Sequence, residues 1–287
     1  MILANLLEYA WPSAVNIPFP LFETEAHAPE ARGLTTGLES CGIAAGDTAA
    51  VLGELASGRS LEELSRRIAT GALLNKRSRT GRQHVLAAIR RRYLNPPAPL
   101  PGPTVLAAVL SAIRTSVAQN QLLLPYVLSS DLAAYEVVVG LVAPQRVPGD
   151  RITTTGVVEE LDRVFARHGK QPWRAGLRLR WAQGVLSVLR DVGAVGRGKQ
   201  REEYLAYSVR SEAFGFHLRA LFDSGLRGAM LVRSPFWRML LLNEEDVRHS
   251  VRGVVERRWW RNIIVGGVEE LLPASPSIEE WVTHDLG

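Results

Sequence analysis

Apolar residues recur at the spacing of amphipathic helices along most of the chain. They predict a first helix over residues 47–55. Ser60 and Glu63 then have the spacing of a capping box, in which each side chain bonds the other residue's backbone amide. A second helix is therefore expected to begin after Ser60 and to end at Gly71. A third helix is expected to run to about Tyr93.

A proline-rich segment interrupts this pattern at residues 96–103, which contain five prolines. Because proline fixes φ and lacks an amide donor, the segment is predicted to be an extended linker. Helical spacing resumes over 104–121 and again over 129–142. The stretch from Pro144 to Asp150 predicts a second break in the helical pattern.

The middle of the chain has a different order of elements. Three threonines at 153–155 offer N-caps for one helix, and a second helix is predicted over 173–192, with Trp181 on its apolar face. The period then changes from 3.6 to 2, so residues 202–209 are predicted to form a strand that follows a turn at 196–200. Helix, turn, helix and hairpin is the order of a winged helix-turn-helix.

The last segment is organised in the same way. A helix is predicted over 214–224, and the Ser234-Pro235 pair and Asn243 mark two further helix starts. Residues 261–272 then have the pattern of a hairpin that turns at the two glycines 266 and 267.

These elements predict a mainly α protein, in which a helical domain with helix-turn-helix-like elements precedes a winged-helix-like unit with small β-hairpins. The first domain is expected to cover 1–147 and to begin with an irregular arm over 1–33. The winged unit is assigned to 148–225. A C-terminal helical segment with its own hairpin is assigned to 226–287.

Charge is unevenly distributed along the chain, and this bears on the kind of partner. The net charge is −7 over residues 1–63, +10 over 64–130 and +2 over 131–287, for a total of +5. The middle stretch contains no Asp or Glu. Such asymmetry favours a polyanionic partner, either nucleic acid or an anionic membrane surface.

Composition narrows the class of protein. The lone Cys41 excludes an intramolecular disulfide and a thiolate metal cluster, which suits a reducing cytoplasm. No apolar run approaches the roughly 18 to 20 residues that span a bilayer. The first dozen residues lack a basic region. We therefore expect a cytoplasmic protein with no membrane partner.

The first candidate nucleic-acid site is the basic loop at the start of the third helix. Cations at a helix N-terminus oppose the helix dipole, and a bound phosphate would satisfy both the cations and the dipole. The alternative is a solvated charged surface. The predicted contacts in this cluster are Lys76, Arg77, Arg79 and Arg82.

The second candidate site lies in the winged unit, where residues 163–190 contain no acid. Arg174, Arg178 and Arg180 are expected to face water on a helix that enters a major groove. The turn of the hairpin is expected to touch backbone phosphates. The predicted contacts there are Arg197, Lys199 and Arg201.

The sequence contains no motif that supports a catalytic, nucleotide or metal site. Residues 193–199 have the G-x-x-x-x-G-K spacing of a phosphate-binding loop, but Gln200 follows in place of Ser or Thr and a helix precedes in place of a strand. A wing turn explains these glycines better. The six histidines have no ligand-spaced partner. We therefore expect no enzyme activity, cofactor, metal or small-molecule substrate.

Five stretches of the sequence resemble the BrxA-like proteins of bacterial BREX phage-defence systems. They are Leu34–Ser40, Leu74–Thr80, Arg90–Leu94, Trp173–Gly193 and Ser234–Trp237. The resemblance implies a mainly helical DNA-binding accessory protein with helix-turn-helix-like parts and no known catalytic residue. It also implies other proteins of a defence complex as partners.

The sequence therefore predicts a non-catalytic double-stranded DNA-binding protein. Two alternatives stay open at this point. One is a scaffold whose basic face docks an acidic protein, and the other is an RNA-binding protein, since a basic helical surface alone does not separate RNA from DNA.

Overall fold

A computed structural model describes residues 33–74, 76–197, 202–265 and 268–286. The irregular arm predicted over 1–33 lies outside these residues, apart from Gly33. The described chain is mainly helical, as predicted, with a few short antiparallel strands.

The helices of the N-terminal part are α1 (Gly37–Ser40), α2 (Ala45–Ala56), α3 (Leu61–Thr70), α4 (Arg79–Ile89), α5 (Pro103–Ala112), α6 (Ser116–Ser129), α7 (Leu132–Val137) and α8 (Ala143–Gln145). Two of them continue into π-helical turns, α4 through Arg90–Leu94 and α7 through Val138–Val142.

The remaining elements are β1 (Arg151–Ile152), α9 (Thr154–Arg167), α10 (Ala175–Asp191), β2 (Val195–Arg197), β3 (Glu202–Tyr204), α11 (Ser211–Asp223), α12 (Gly228–Val232), a 3₁₀ helix (Pro235–Leu240), α13 (Glu244–Glu256), β4 (Trp260–Val265), β5 (Val268–Pro273) and α14 (Ile278–His284).

Most helix starts are where the caps predict them. The Ser60 hydroxyl accepts from the Glu63 amide at 3.2 Å, and the Thr153 hydroxyl accepts from the Gly156 amide at 3.0 Å. Asn243 forms a complete capping box with Asp246. Gly71, at φ 88, ends α3 in the left-handed region, where a residue without Cβ is favoured.

The single helix predicted over 104–121 is wrong. α5 ends at Ala112, and α6 begins at Ser116 with the Thr115 hydroxyl accepting from the Ala118 amide. The Gln119 side chain donates to the carbonyls that the break leaves free, Leu110 at 3.1 Å and Ile113 at 2.9 Å. Apolar spacing alone did not reveal this break, because both helices are buried in the same core.

Two buried polar groups in the N-terminal part bond to the segment around α1. Arg92 is 2% exposed and donates to the carbonyls of Cys41 at 2.9 Å and Gly42 at 2.5 Å. Asp131 caps α7 and accepts from the Thr35 hydroxyl at 2.7 Å. These bonds fasten the segment around α1 onto the helical domain.

The middle unit has the pairing of a winged helix. α7 precedes β1, then α9 and α10 follow, and β2 and β3 complete a sheet of order β1-β3-β2. All pairs are antiparallel, with Arg151 opposite Glu203 and Val195 opposite Tyr204. β3 ends at Tyr204 rather than at 209, because the chain there leaves the short sheet toward α11.

The C-terminal unit repeats the order of helices and hairpin. The hairpin pairs Val265 with Val268. The turn predicted at the two glycines 266 and 267 lies outside the described residues. Phe214 of α11 stacks on Trp237 at 4.7 Å between ring centroids, which packs the 3₁₀ helix onto α11. The domain boundaries at 147 and 225 stay predictions.

No single helix in the described part of the chain is long and apolar enough to cross a membrane. Within the same described residues, one pair, α6 together with Leu132–Val142, reaches the length and composition of a span, and it is bent by 115°.

Candidate nucleic-acid interface

The basic loop before α4 is capped as predicted and open to solvent. The Ser78 hydroxyl accepts from the Gly81 amide at 3.0 Å. Lys76, Arg77 and Arg79 are exposed and form no ion pair with the residues that the structure describes. The structure thus places three unneutralised cations around the N-terminus of one helix.

The fourth predicted contact in this loop, Arg82, has a structural role. Its guanidinium donates to the carbonyls of Ala69 at 2.8 Å, Lys76 at 2.9 Å and Arg77 at 3.1 Å. It therefore ties the end of α3 to the loop and holds Lys76 and Arg77 in place. Its binding to nucleic acid stays a prediction, and most of its donors are already used.

The outer face of α4 continues the basic loop. Arg79, Gln83, His84, Ala87 and Arg90 are exposed, and their spacing of three and four residues puts them on one side of the helix. No acid lies on α4. In a helix-turn-helix the second helix is the one that meets a major groove, and α4 is the second helix of the α3–α4 pair. The sequence reasoning missed Gln83, His84 and Arg90.

Most of the basic residues in the acid-free stretch 163–190 are neutralised by acids from other parts of the chain. The structure pairs Arg163 with Glu160, Arg167 with Glu136 and Glu160, Arg178 with Asp162, Arg180 with Glu39 and Arg190 with Glu202. Lys170 and Arg174 are exposed and form no ion pair with the described residues. Within 163–190, the cations without an ion pair to the described residues thus lie just before α10.

The expected orientation toward water is wrong for Arg178. Its side chain is 23% exposed and bonds the Asp162 carboxylate of α9. On the helical wheel it falls on the side of Trp181 and Val185, which are fully buried. Its aliphatic stem therefore packs between α9 and α10, and its charge supports that packing.

The face of α10 that points to solvent consists of different residues. Gly176, Leu179, Arg180 and Gln183 are exposed and recur at spacings of three and four. Leu179 is 48% exposed and is one of four large apolar side chains that are exposed in the described residues. This outward face contains one charge, Arg180, and no acid. Leu179 and Gln183 could have been found from the sequence, because both lie opposite the apolar positions of α10 on the helical wheel.

The N-terminal segment lies against one side of α10. A Cβ at Gly184 would be 2.2 Å from the Leu38 carbonyl oxygen, so only glycine lets α1 approach this closely. Glu39 of α1 accepts from the Arg180 Nε at 2.6 Å. Glu39 of the N-terminal segment thus forms an ion pair with Arg180, the one cation of the outward face.

The wing is only partly described. Arg197 ends β2 with its backbone opposite Glu202 of β3. Lys199 and Arg201 lie outside the described residues, so their part in the site stays a prediction. Trp173 lies between α9 and α10 and packs edge-on against Phe165 at 4.9 Å and Trp181 at 6.1 Å between ring centroids. It therefore packs beside the core.

Ionisable groups with shifted pKa values lie mainly in the core. Burial raises the pKa of Tyr93 to about 12 and lowers the pKa of His217 to about 3. Burial also raises the pKa of Asp131, against hydrogen bonds from Thr35 and Ala134 that lower it. Within the described residues, no group of three or more His, Cys, Asp or Glu side chains could hold a metal ion.

Comparison with known proteins adds one likeness of fold. No family model and no curated protein matches the chain. A solved structure, the crystal structure of an uncharacterized protein from Magnetospirillum magneticum, is similar with a TM-score of 0.53. The match covers 72% of this chain and 97% of that chain at 14% sequence identity. At this identity the likeness concerns the fold alone.

Proposed function

We propose that this protein is a non-catalytic double-stranded DNA-binding protein. The observation that carries the proposal is the arrangement around α4 and α10. Each is the second helix of a helix-turn-helix-like pair, each has an outward face without acids, and each begins beside exposed cations with no ion pair to the described residues.

The cations would supply most of the affinity. Lys76, Arg77 and Arg79 surround the N-terminus of α4, where backbone amides and the helix dipole also favour an anion. Lys170 and Arg174 occupy the corresponding place at α10. A protein that neutralises phosphates in this way releases condensed counterions, which makes its binding strongly dependent on salt.

The winged unit gives the proposal its geometry. In winged helices the second helix enters the major groove, while the hairpin touches the sugar-phosphate backbone. α10 holds the position of that helix, and the predicted phosphate contacts Arg197, Lys199 and Arg201 lie at the end of β2 and in the sequence between β2 and β3. The helix would carry any sequence preference, and the turn would fix the register.

The biological setting that we propose is a bacterial phage-defence system of the BREX type, in the cytoplasm. It rests on the resemblance of Leu34–Ser40, Leu74–Thr80, Arg90–Leu94 and Trp173–Gly193 to BrxA-like proteins. Three of these stretches coincide with α1, the loop before α4 and α10. Other proteins of the same defence complex would be its partners.

A salt titration tests this function. Labelled duplex DNA, single-stranded DNA and RNA are titrated with the protein at several salt concentrations. If about 4 to 6 phosphates are neutralised on the duplex, the slope of log K against log salt should be near −4 to −5. Tighter binding to RNA would favour the RNA-binding alternative.

Failure to bind duplex even at low salt would overturn the proposal and favour a scaffold that docks an acidic protein. Arg114→Glu is the matched control, because Arg114 is an exposed cation between α5 and α6 and belongs to neither helix pair. Its reversal should leave the slope unchanged.

A further inference from the structure

We propose that the outward face of α10 reads A·T base pairs in the major groove, through Leu179 and Gln183. This inference rests on the proposed function and deepens it, since it names the class of duplex that the protein prefers. It also replaces Arg178 as a candidate for contact with bases, because Arg178 is held by Asp162 between α9 and α10.

The first observation is the exposure of Leu179. The apolar residues that fix α10 in the fold, Trp181, Val185 and Leu189, are fully buried on the opposite side. Leu179 is 48% exposed in the middle of a face that otherwise presents Gly176, Arg180 and Gln183. An apolar side chain on a groove-entering helix has one specific target among the base edges, which is the C5 methyl group of thymine.

The second observation is the exposed amide one turn further along. The Gln183 side chain is four residues after Leu179, so the two lie on the same face about 6 Å apart along the helix axis. A glutamine amide bonds adenine in bidentate fashion at N6 and N7. Base pairs repeat every 3.4 Å, roughly, so these two side chains would reach the same or neighbouring base steps.

The third observation concerns guanine, the other base that is commonly read in this groove. Guanine is bonded by Arg or Lys at O6 and N7. Arg180 is the one cation on the outward face, and its Nε donates to Glu39 at 2.6 Å. Contact with guanine would therefore have to use the remaining N–H groups of a guanidinium that is already paired with a carboxylate, whereas contact with A·T involves no paired group.

Shape and charge agree with this use of the helix. Gly176 adds no side chain at the start of the outward face, so the helix backbone could approach the floor of the groove. The first turn of α10 contains no acid, and the exposed Lys170 and Arg174 flank it. The face is thus neutral in its middle and basic at its edge, which matches bases flanked by phosphates.

The experiment selects preferred duplexes from a randomised pool with the wild-type protein, followed by titration of the selected duplex and of versions with single A·T to G·C replacements. We expect the selected sequences to contain A·T pairs at one or two neighbouring positions. Replacement of the adenine pair should weaken wild-type binding at least about fivefold. In Gln183→Ala that penalty should disappear, and in Leu179→Ala the penalty at the thymine position should fall.

Both variants should keep the salt slope of the wild type, since neither side chain contacts a phosphate. Gln171→Ala is the matched control, because Gln171 is an exposed amide in the same unit, in the loop before α10. It should keep the full discrimination. Thermal unfolding of each variant should match the wild type, because both substituted side chains are exposed.

The two possible failures are distinct. Absence of duplex binding by the wild type at low salt overturns the proposed function, and this inference with it. Duplex binding without base preference, a preference for G·C, or a preference that Gln183→Ala and Leu179→Ala both retain overturns this inference alone.

Discussion

The middle and C-terminal units share an order of elements but differ at the helix that would meet DNA. α10 begins with Arg174 as its N-cap residue and has no acid in its first turn. α13 occupies the same place in the C-terminal unit and begins with Asn243, Glu244, Glu245 and Asp246. The first helix start suits a phosphate, and the second is already satisfied by its own carboxylates.

The outward faces of α10 and α13 also differ in their content of acids. On α13 the exposed positions Glu245, His249, Arg252 and Glu256 include two acids. Over the sequence, residues 148–225 hold nine acids and 13 basic residues, whereas 226–287 hold nine acids and eight basic residues. A common topology therefore does not imply a common ligand. The electrostatics of the first turn decide which unit is compatible with a polyanion.

The largest expected effect extends this comparison to α4, which resembles α10 in having no acid in its first turn. The triple variant Lys76→Glu, Arg77→Glu and Arg79→Glu removes three exposed cations. Each lost phosphate contact should reduce the salt slope by about 1, so the slope should fall by about 3 and affinity at low salt by roughly a thousandfold. Fluorescence anisotropy with labelled duplex measures both. An unchanged slope in the folded variant would show that α4 does not contact DNA.

The next effect compares the two units directly. Lys170→Glu with Arg174→Glu should weaken duplex binding by roughly a hundredfold and reduce the salt slope by about 2. The matched change in the C-terminal unit, Arg252→Glu with Arg261→Glu, also reverses two exposed cations. We expect it to alter affinity by less than about threefold. Equal losses in the two variants would contradict the distinction between α10 and α13.

A smaller effect concerns the stability of the packing between α11 and α6. His217 of α11 is fully buried, its Nε2 is 3.0 Å from the Leu122 carbonyl of α6, and burial lowers its pKa to about 3. Between about pH 6.5 and 3 the unfolded chain binds a proton that the folded protein excludes. The free energy of unfolding should therefore decrease as the pH is lowered through this window, by up to about 1.4 kcal/mol per pH unit.

His217→Gln should remove this contribution, because glutamine does not titrate. Urea unfolding at several values between pH 7 and 5 measures the slope of stability against pH for wild type and variant. Asp131, whose pKa is raised by burial, contributes equally to both and cancels. His249→Gln, at an exposed position of α13, is the control and should retain the wild-type slope. The hypothesis is wrong if His217→Gln retains it as well.

The smallest effect tests the contact between α1 and α10. Glu39→Gln removes the carboxylate that holds Arg180, whose side chain is 57% exposed. The freed guanidinium should gain a phosphate contact, so duplex affinity should rise by about three- to tenfold, with a salt slope steeper by about 1. Glu62→Gln, an exposed acid in the first turn of α3, is the control. Weaker binding of Glu39→Gln would show that α1 positions α10 for DNA instead of competing with it.

Local signals in the sequence predicted much of the fold. Ser60, Ser78, Thr153 and Asn243 each cap the helix that their position predicts, and the second hairpin pairs as predicted through β4 and β5. Such features depend on hydrogen bonds between residues a few positions apart, so the chain encodes them locally. The break between α5 and α6 cannot be predicted from apolar spacing, because both helices are largely buried in the same core.

The sequence by itself determined which residues are basic and where helices begin, and the tertiary structure decided which cations stay free. Arg180 and Arg178 are neutralised by Glu39 and Asp162, and Arg82 and Arg92 are bonded to carbonyls. Charge along a chain is local, but the partner of each charge comes from wherever the fold brings an acid or a carbonyl within a few ångströms. An acid-free stretch of sequence is therefore a cationic surface only where the fold brings no acid to it.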